Sequence, residues 1–400
     1  MIKKIPIEAL KPGMEVIQVP GELWQHLPYL YSEPGIIESE AEVARLLELG
    51  YREVFVASEE VDGLSDEARL DRLISGSELG REMPVRTPFG KAISSAMVTY
   101  EDAMVHAMQI VRDAKLGRKM DYATSFKTAT AIVESAVSNP DTLVCLAKLS
   151  EFDDYTYTHC INVAAISVVF GEFIGMSREE LVLLGVAGMM HDLGKTTVPA
   201  RIINKPGPLT GPEREEVRRH PAYGCDILRR NGDIPGQVLN AVMHHHERYN
   251  GSGYPDGLTR KDIPAFARIL CLADVYDALT SDRCYKNAIL PNKALGIMYG
   301  MRDQDFDPTE VQLFIKCLGI FPAGSFVRLN TGQYALVFET NSNEPLNPKI
   351  RIIMDEEMKP IHTRDVDLTA QPEGAGAIEI LECADPSAYR RNLMNYLTGN

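Results

Sequence analysis

The chain has little cysteine and no paired-cysteine motif. Its seven cysteines, Cys145, Cys160, Cys225, Cys271, Cys284, Cys317 and Cys383, are scattered with no C-x-x-C spacing. That argues against a disulfide framework and fits small core residues in a reducing compartment. No apolar run is long enough to span a bilayer. The longest, Ile161–Gly175, is interrupted by Asn162 and Glu172, and Leu181–Met190 is too short. Nor does an apolar segment follow the two lysines near Met1, so no secretory leader is expected and the expected location is the cytoplasm. Positive charge is also scarce. With 41 Lys and Arg against 56 Asp and Glu, the net charge of −15 argues against binding to a nucleic-acid polymer, which rests on neutralising phosphates. It leaves open a small anionic ligand, because metal ions and a few local cations can invert the field inside one pocket. No internal repeat and no low-complexity tract is present.

At 400 residues, 45% of them hydrophobic, the chain can form two or three domains with cores that need no cross-links. Residues 1–60 combine short β-type runs, Met14–Val19 and Glu53–Ala57, with a helical stretch, Ser39–Leu49, opened by the capping-box pattern of Ser39 and Glu42. This reads as a small α+β domain. Residues 61–100 are polar, then bear Gly, Pro and Ser, and read as a linker. From 101 to 320 the helical period dominates, with a second capping box at Ser177 and Glu180. Three short strands, Ser325–Leu329, Tyr334–Phe338 and Lys349–Met354, then form a small β module over 321–370. The tail, 371–400, is mixed and ends in a short helix near Pro386–Tyr396. The expected fold is mainly α, a helical bundle flanked by these two small modules.

Six of the nine histidines lie between His159 and His246. His159, His191, Asp192, His220, His245, His246 and Asp274 fall in clusters 25–32 residues apart, about one helix plus a loop. In a bundle, that spacing lets each helix offer ligands to a common centre. Any one histidine alone would be an ordinary core or surface residue. A set of five on otherwise apolar helices is not, because buried imidazoles in that number need something to coordinate. Five imidazoles and two carboxylates favour Fe, Mn, Co, Ni or Zn over Mg or Ca. Seven ligands exceed what one ion with an open position takes, so two ions are the simplest reading, with Asp192 suited to bridging them. Such a pair lowers the pKa of a shared water to about 7 and clamps phosphoryl oxygens. His244 extends the pair by one residue and points elsewhere on a helix. His26, His106 and His362 lie outside the cluster, and Cys160 reads as packing.

His191-Asp192-Leu193-Gly194-Lys195, His245-His246-Glu247 with Gly253-Tyr254-Pro255, and Asp274 through Lys286 occur in an order and spacing that resembles the HD-GYP branch of the HD phosphohydrolases, over roughly residues 150–320. The first 60 residues resemble the uncharacterised domain that often precedes it. The resemblance implies an all-α core, a binuclear or trinuclear site holding Fe or Mn, and phosphodiesterase activity on cyclic di-GMP, giving pGpG or continuing to GMP. It places metal ligands at His159, His191, Asp192, His220, His245, His246 and Asp274, and a phosphate or leaving-oxygen contact at Lys195, catalytic together with Asp192. Arg283 and Lys286 match phosphate-holding positions, and Asp277 and Tyr254 match positions close to substrate. The Gly253-Tyr254-Pro255 loop is expected to shape the entrance and to offer a surface to a signalling partner. Members with a third metal carry a glutamate where this chain has Tyr155, and Asp153 and Asp154 are out of register for that task. Two ions are therefore expected, with pGpG as the product, and the second step, from pGpG to GMP, is left open. The competing readings are a phosphohydrolase for another cyclic dinucleotide and a non-catalytic cyclic di-GMP sensor; retention of all seven ligands favours an enzyme. Nothing in the sequence sets the oligomeric state.

Overall fold

The computed structural model describes residues 2–18, 30–57, 86–150, 155–205, 209–281, 289–371, 376–385 and 390–398. The N-terminal unit is a five-stranded sheet of β1 (Ile2–Pro6), β2 (Glu15–Val16), β3 (Leu30–Tyr31), β4 (Gly35–Ile36) and β5 (Glu53–Ala57), with helix α1 (Glu40–Glu48) packed beside it. β1 and β2 flank β5 antiparallel, and β3 pairs β5 in parallel. The period-2 rule divides β5 between two cores. Val54 and Val56 join a small core with Ile7, Leu10, Val16, Ile37, Val43 and Leu46. Phe55 turns the other way, into the main helical core. Ser39 caps α1 by accepting from the Glu42 amide, but Glu42 returns to the amide of Glu38 rather than to that of Ser39. The sheet is fastened to the helical unit by Lys4, fully buried, whose ammonium contacts Glu53 at 2.9 Å and Asp305 at 2.5 Å.

The helical unit contains α2 (Phe89–Lys115), α3 (Tyr122–Ser138), α4 (Pro140–Leu149), α5 (Tyr155–Phe173), α6 (Arg178–Met190), α7 (Ala200–Ile203), α8 (Gly211–Val217), α9 (His220–Asn231), α10 (Gly236–His244), α11 (Ala265–Thr280), α12 (Pro291–Gly300) and α13 (Pro308–Leu318). α5 and α11 lie at its centre. Their apolar residues run around the whole helix, the signature of a helix buried on every side. α6 begins at a complete capping box of Ser177 and Glu180. The stretch read as linker is helical from Phe89 onward. Gly90, Ser94 and Ser95 weaken the local helical preference there, but Phe89, Ala92, Ile93, Ala96 and Tyr100 recur at helical spacing and are buried.

The C-terminal unit is an antiparallel sheet, β10-β6-β7-β8-β9, of β6 (Phe326–Leu329), β7 (Tyr334–Glu339), β8 (Lys349–Met354), β9 (Pro360–Asp367) and β10 (Ile380–Cys383), followed by α14 (Arg390–Thr398). It extends past residue 370, because β10 returns to pair β6. The strand β9 is a largely exposed edge, so it lacks the apolar alternation that reveals β6, β7 and β8.

Thr340, just after β7, donates a 2.7 Å hydrogen bond to the buried carboxyl of Asp141 at the start of α4. Burial pushes the Asp141 carboxyl up from 3.8 to about 6, against the opposing effects of the Thr340 bond and of Arg86. A raised carboxyl pKa means that ionisation in the folded state costs stability. The cost is fully present above about pH 6 and absent below the unfolded value of 3.8. Asp141→Asn keeps the acceptor for Thr340 and removes the charge. It is expected to raise unfolding free energy at pH 7 by about 3 kcal/mol, at 1.36 kcal/mol per pKa unit. The advantage should vanish by pH 4 when denaturation midpoints of the two proteins are compared across pH; equal midpoints at pH 7 would refute the assignment.

Candidate metal centre

The seven sequence-predicted ligands meet in one buried pocket. His159 comes from α5, His191 and Asp192 from the end of α6, His220 from the first turn of α9, His245 and His246 from the end of α10, and Asp274 from α11. All are buried. Three imidazoles are oriented by the same device. The Nδ1–H of His191 donates to the Gly188 carbonyl at 2.8 Å, that of His220 to Val217 at 2.8 Å, and that of His245 to Val242 at 2.7 Å. Because a carbonyl can only accept, each ring holds its proton on Nδ1 and turns the Nε2 lone pair inward.

Asp192 stands between two groups of histidines. Its Oδ2 faces His159 Nε2 at 3.7 Å and His191 Nε2 at 3.5 Å. Its Oδ1 faces His220 Nε2 at 3.3 Å and His245 Nε2 at 3.9 Å. Asp274 Oδ1 lies 3.1 Å from His159 Nε2 and 3.9 Å from His191 Nε2. Three groups of donors lie close enough to share an ion: Asp192 with His220, His245 and His246; His159 with His191 and Asp192; and His191 with His245 and Asp274. The residues fit a metal on one further observation. The Nε2 atoms of His220 and His245 approach to 3.2 Å although both rings have their Nδ1 committed as donors. Two lone pairs facing each other repel unless a proton or a metal cation lies between them.

The electrostatics of the pocket are those of a cation site. Burial lowers the pKa of His191 and of His245, the latter strongly and with help from the neighbouring imidazoles. Burial opposes ionisation of Asp192, yet Lys195 and the surrounding imidazoles hold its carboxyl well below the usual range. His159 goes the other way: burial disfavours its charge, but Asp274 and Asp277 raise it to about 10. The Lys195 ammonium donates to Asp192 Oδ2 at 2.6 Å and reaches the rim of the pocket, its side chain 18% exposed.

Asp277 and Tyr254, expected near substrate, are engaged by the protein. Asp277 is 2% exposed. It accepts from His159 Nδ1 at 2.7 Å, Asn162 Nδ2 at 2.7 Å and Ser281 Oγ at 2.9 Å. Tyr100 of α2 donates in turn to Asn162 Oδ1. Asp277 thus has both carboxylate oxygens engaged by protein groups, one of them holding the ring of His159. Asp277→Asn should weaken metal affinity by about 10–100-fold with little change in fold, which a metal-chelator competition would measure; unchanged affinity would count against that role. Tyr254 is buried and stacks on His246, ring centroids 4.8 Å apart, and the Arg218 guanidinium carbon lies 4.7 Å from the Tyr254 ring centroid. His244 pairs with Asp256 at 3.0 Å, away from the cluster. Arg283, Lys286 and Cys284, and also Asp153 and Asp154, lie outside the described residues. Tyr155 opens α5.

Several residues that the motif reading left without a role hold the site together. Glu247 accepts from the amides of Asp256 at 2.8 Å and Leu258 at 3.0 Å, closing the Gly253-Tyr254-Pro255 loop against α10. A Cβ on Gly253 would lie 2.3 Å from the Arg248 amide nitrogen, so only glycine lets the loop fold back here. Gly194 is tighter still: a Cβ there would lie 1.8 Å from the His220 carbonyl oxygen.

A bundle in which five histidines and two aspartates converge beside a lysine defines a metal-dependent phosphohydrolase. The model of the HD domain family matches residues 134–309, a domain of unknown function (DUF3391) matches 2–124, and a KOW domain associated with HD domain matches 326–374. A cyclic di-GMP phosphodiesterase of Pseudomonas aeruginosa is 33% identical over 380 residues, covering 92% of this chain and 89% of its own. The cyclic di-GMP phosphodiesterase response regulator RpfG of Xanthomonas campestris is 39% identical over 178 residues, 44% of this chain and 47% of its own. A cyclic di-GMP phosphodiesterase of Thermotoga maritima is 36% identical over 178 residues, 44% of this chain and 48% of its own. The chain belongs to the HD-GYP family of HD phosphohydrolases.

Proposed function

We infer that this chain is a metal-dependent cyclic di-GMP phosphodiesterase. The observation that carries the reading is Asp192, whose two carboxylate oxygens face separate pairs of histidines. That division supports two divalent transition-metal ions, Fe or Mn, held by His159, His191, Asp192, His220, His245, His246 and Asp274. When bound, such ions supply Lewis-acid activation of water and charge neutralisation at phosphate oxygens. The chain's own groups do the rest. Asp192 fixes Lys195 at the rim, where its ammonium meets the scissile phosphate and stabilises the negative charge that develops there. Tyr254 and Glu247 keep His246 and the loop in place, and the loop forms the entrance and a surface for a signalling partner. Arg283 and Lys286, assigned from sequence, hold the second phosphate. In sequence, Tyr155 takes the position of the glutamate carried by family members with a third ion, which supports pGpG as the product. Among the described residues no helix is long and apolar enough to cross a membrane, in keeping with a cytoplasmic enzyme acting on a diffusible dinucleotide.

The test is hydrolysis by the anaerobically prepared, Mn- or Fe-loaded full chain, with cyclic di-GMP and 3′,3′-cGAMP compared and products resolved by chromatography. Conversion of cyclic di-GMP to pGpG at the higher kcat/KM is the expected result. Preference for the mixed dinucleotide would reassign the substrate, GMP as end product would overturn the reading of Tyr155, and binding without turnover would make the chain a sensor.

A further inference from the structure

Helix α2 carries an exposed face on the side opposite its core, with no described element packed over it. Inward, Ala92, Ile93, Ala96, Tyr100, Ala103 and Ile110 are buried. Outward, Val98, Val105 and Met108 are 59%, 68% and 48% exposed. A single exposed valine means nothing. Here three apolar residues fall on one narrow stripe at the alternating three- and four-residue spacing of a coiled-coil seam, and Glu101, Arg112 and Lys115, all exposed, complete the same stripe.

The charges on the stripe identify what covers it. Glu101 and Arg112 are three helical turns apart, about 16 Å at 1.5 Å per residue, so they cannot meet within one helix. They lie at equal distances on either side of a point between His106 and Ala107. The same point is midway between Val105 and Met108, and midway between Val98 and Lys115. A two-fold axis through it, running the helices antiparallel, sets Val105 against Met108 of a second copy and Glu101 against its Arg112. The aliphatic stem of Lys115 then lies along Val98 of the other copy. Each pairing occurs twice by symmetry. A parallel arrangement would instead oppose Glu101 to Glu101 and Arg112 to Arg112, which is repulsive.

We propose that the protein forms a two-fold dimer in which the α2 helices of two copies pack antiparallel along Val98, Glu101, Val105, Met108, Arg112 and Lys115. The proposal is independent of the substrate assignment, since none of these six side chains belongs to the metal centre.

The full chain should sediment at twice its 44.4 kDa mass. Glu101→Arg and Arg112→Glu each put like charges in contact twice across the axis and should each weaken the dimer at least ten-fold. Mixing the two variants in equal amounts brings opposite charges together again and should restore the dimer as a heterodimer. Thermal melting of each variant at the wild-type temperature separates lost association from lost folding. A wild-type chain that stays at 44.4 kDa at tens of micromolar overturns the proposal. So do single variants that associate as tightly as wild type, or a mixture that fails to recover.

Discussion

Replacing Asp192 by alanine should lower kcat/KM for cyclic di-GMP by about a thousand-fold or more, a loss of roughly 4 kcal/mol of transition-state stabilisation. The size of the effect follows from the number of groups that depend on this one carboxylate. Its two oxygens face four imidazole nitrogens at 3.3 to 3.9 Å, and it holds the Lys195 ammonium at 2.6 Å. Removing it takes away the bridge between the two histidine groups and releases the lysine from the rim. Asp192→Asn separates these roles. The amide keeps the shape, and its oxygen can still accept from Lys195, but the negative charge that balances two cations is gone. Activity should fall with metal content in both variants, while circular dichroism stays that of the wild type. Wild-type turnover by the alanine variant would be incompatible with Asp192 as a ligand.

Gly194→Ala is expected to be nearly as damaging, although Gly194 has no side chain to offer a metal. The added methyl would lie 1.8 Å from the His220 carbonyl oxygen and 2.5 Å from the Gly224 amide nitrogen, and both obstacles are backbone. No flexible side-chain end is available to give way, so α9 must move off the turn that follows Asp192. That shifts His220 relative to His245 and opens the ligand set. Overpacking of this kind costs about 1–3 kcal/mol, occasionally more, in stability. Displacing one ligand should also cost at least a hundred-fold in activity, since reacting groups tolerate little misplacement. Thermal unfolding and metal titration of the variant would show both losses; a melting temperature and metal content equal to wild type would mean that the close approach does not matter.

The ligand set was legible because its chemistry is conspicuous. Histidines and aspartates on apolar helices need a reason to be buried, and their spacing of about one helix plus a loop pointed to a shared centre. The supports were less visible. Asp277 contacts His159 and Asn162 across 118 and 115 residues of chain, and Tyr100 reaches Asn162 across 62. No local pattern announces such a chain of hydrogen bonds, so the sequence leaves open whether Asp277 supports a neighbouring side chain or meets substrate, and only the fold shows its bond to His159. Gly194 and Gly253 look like ordinary turn glycines in sequence. Their constraint is the close approach of other backbone, which only packing reveals. In the fold, Glu53–Ala57 was read to the residue because both faces of that strand are apolar. β9, polar and exposed at a sheet edge, gave no such signal, and the start of α2 was obscured by Gly90 and the serines that follow it.

The most direct test of the account is the number of metal ions per chain in anaerobically purified wild-type protein, measured by mass spectrometry on the sample used for the hydrolysis assay. A bridging Asp192 predicts two ions per chain, with turnover of cyclic di-GMP in that state and loss of metal together with activity in Asp192→Ala. Full activity at one ion per chain would contradict the bridge, and with it the division of the seven ligands between two sites.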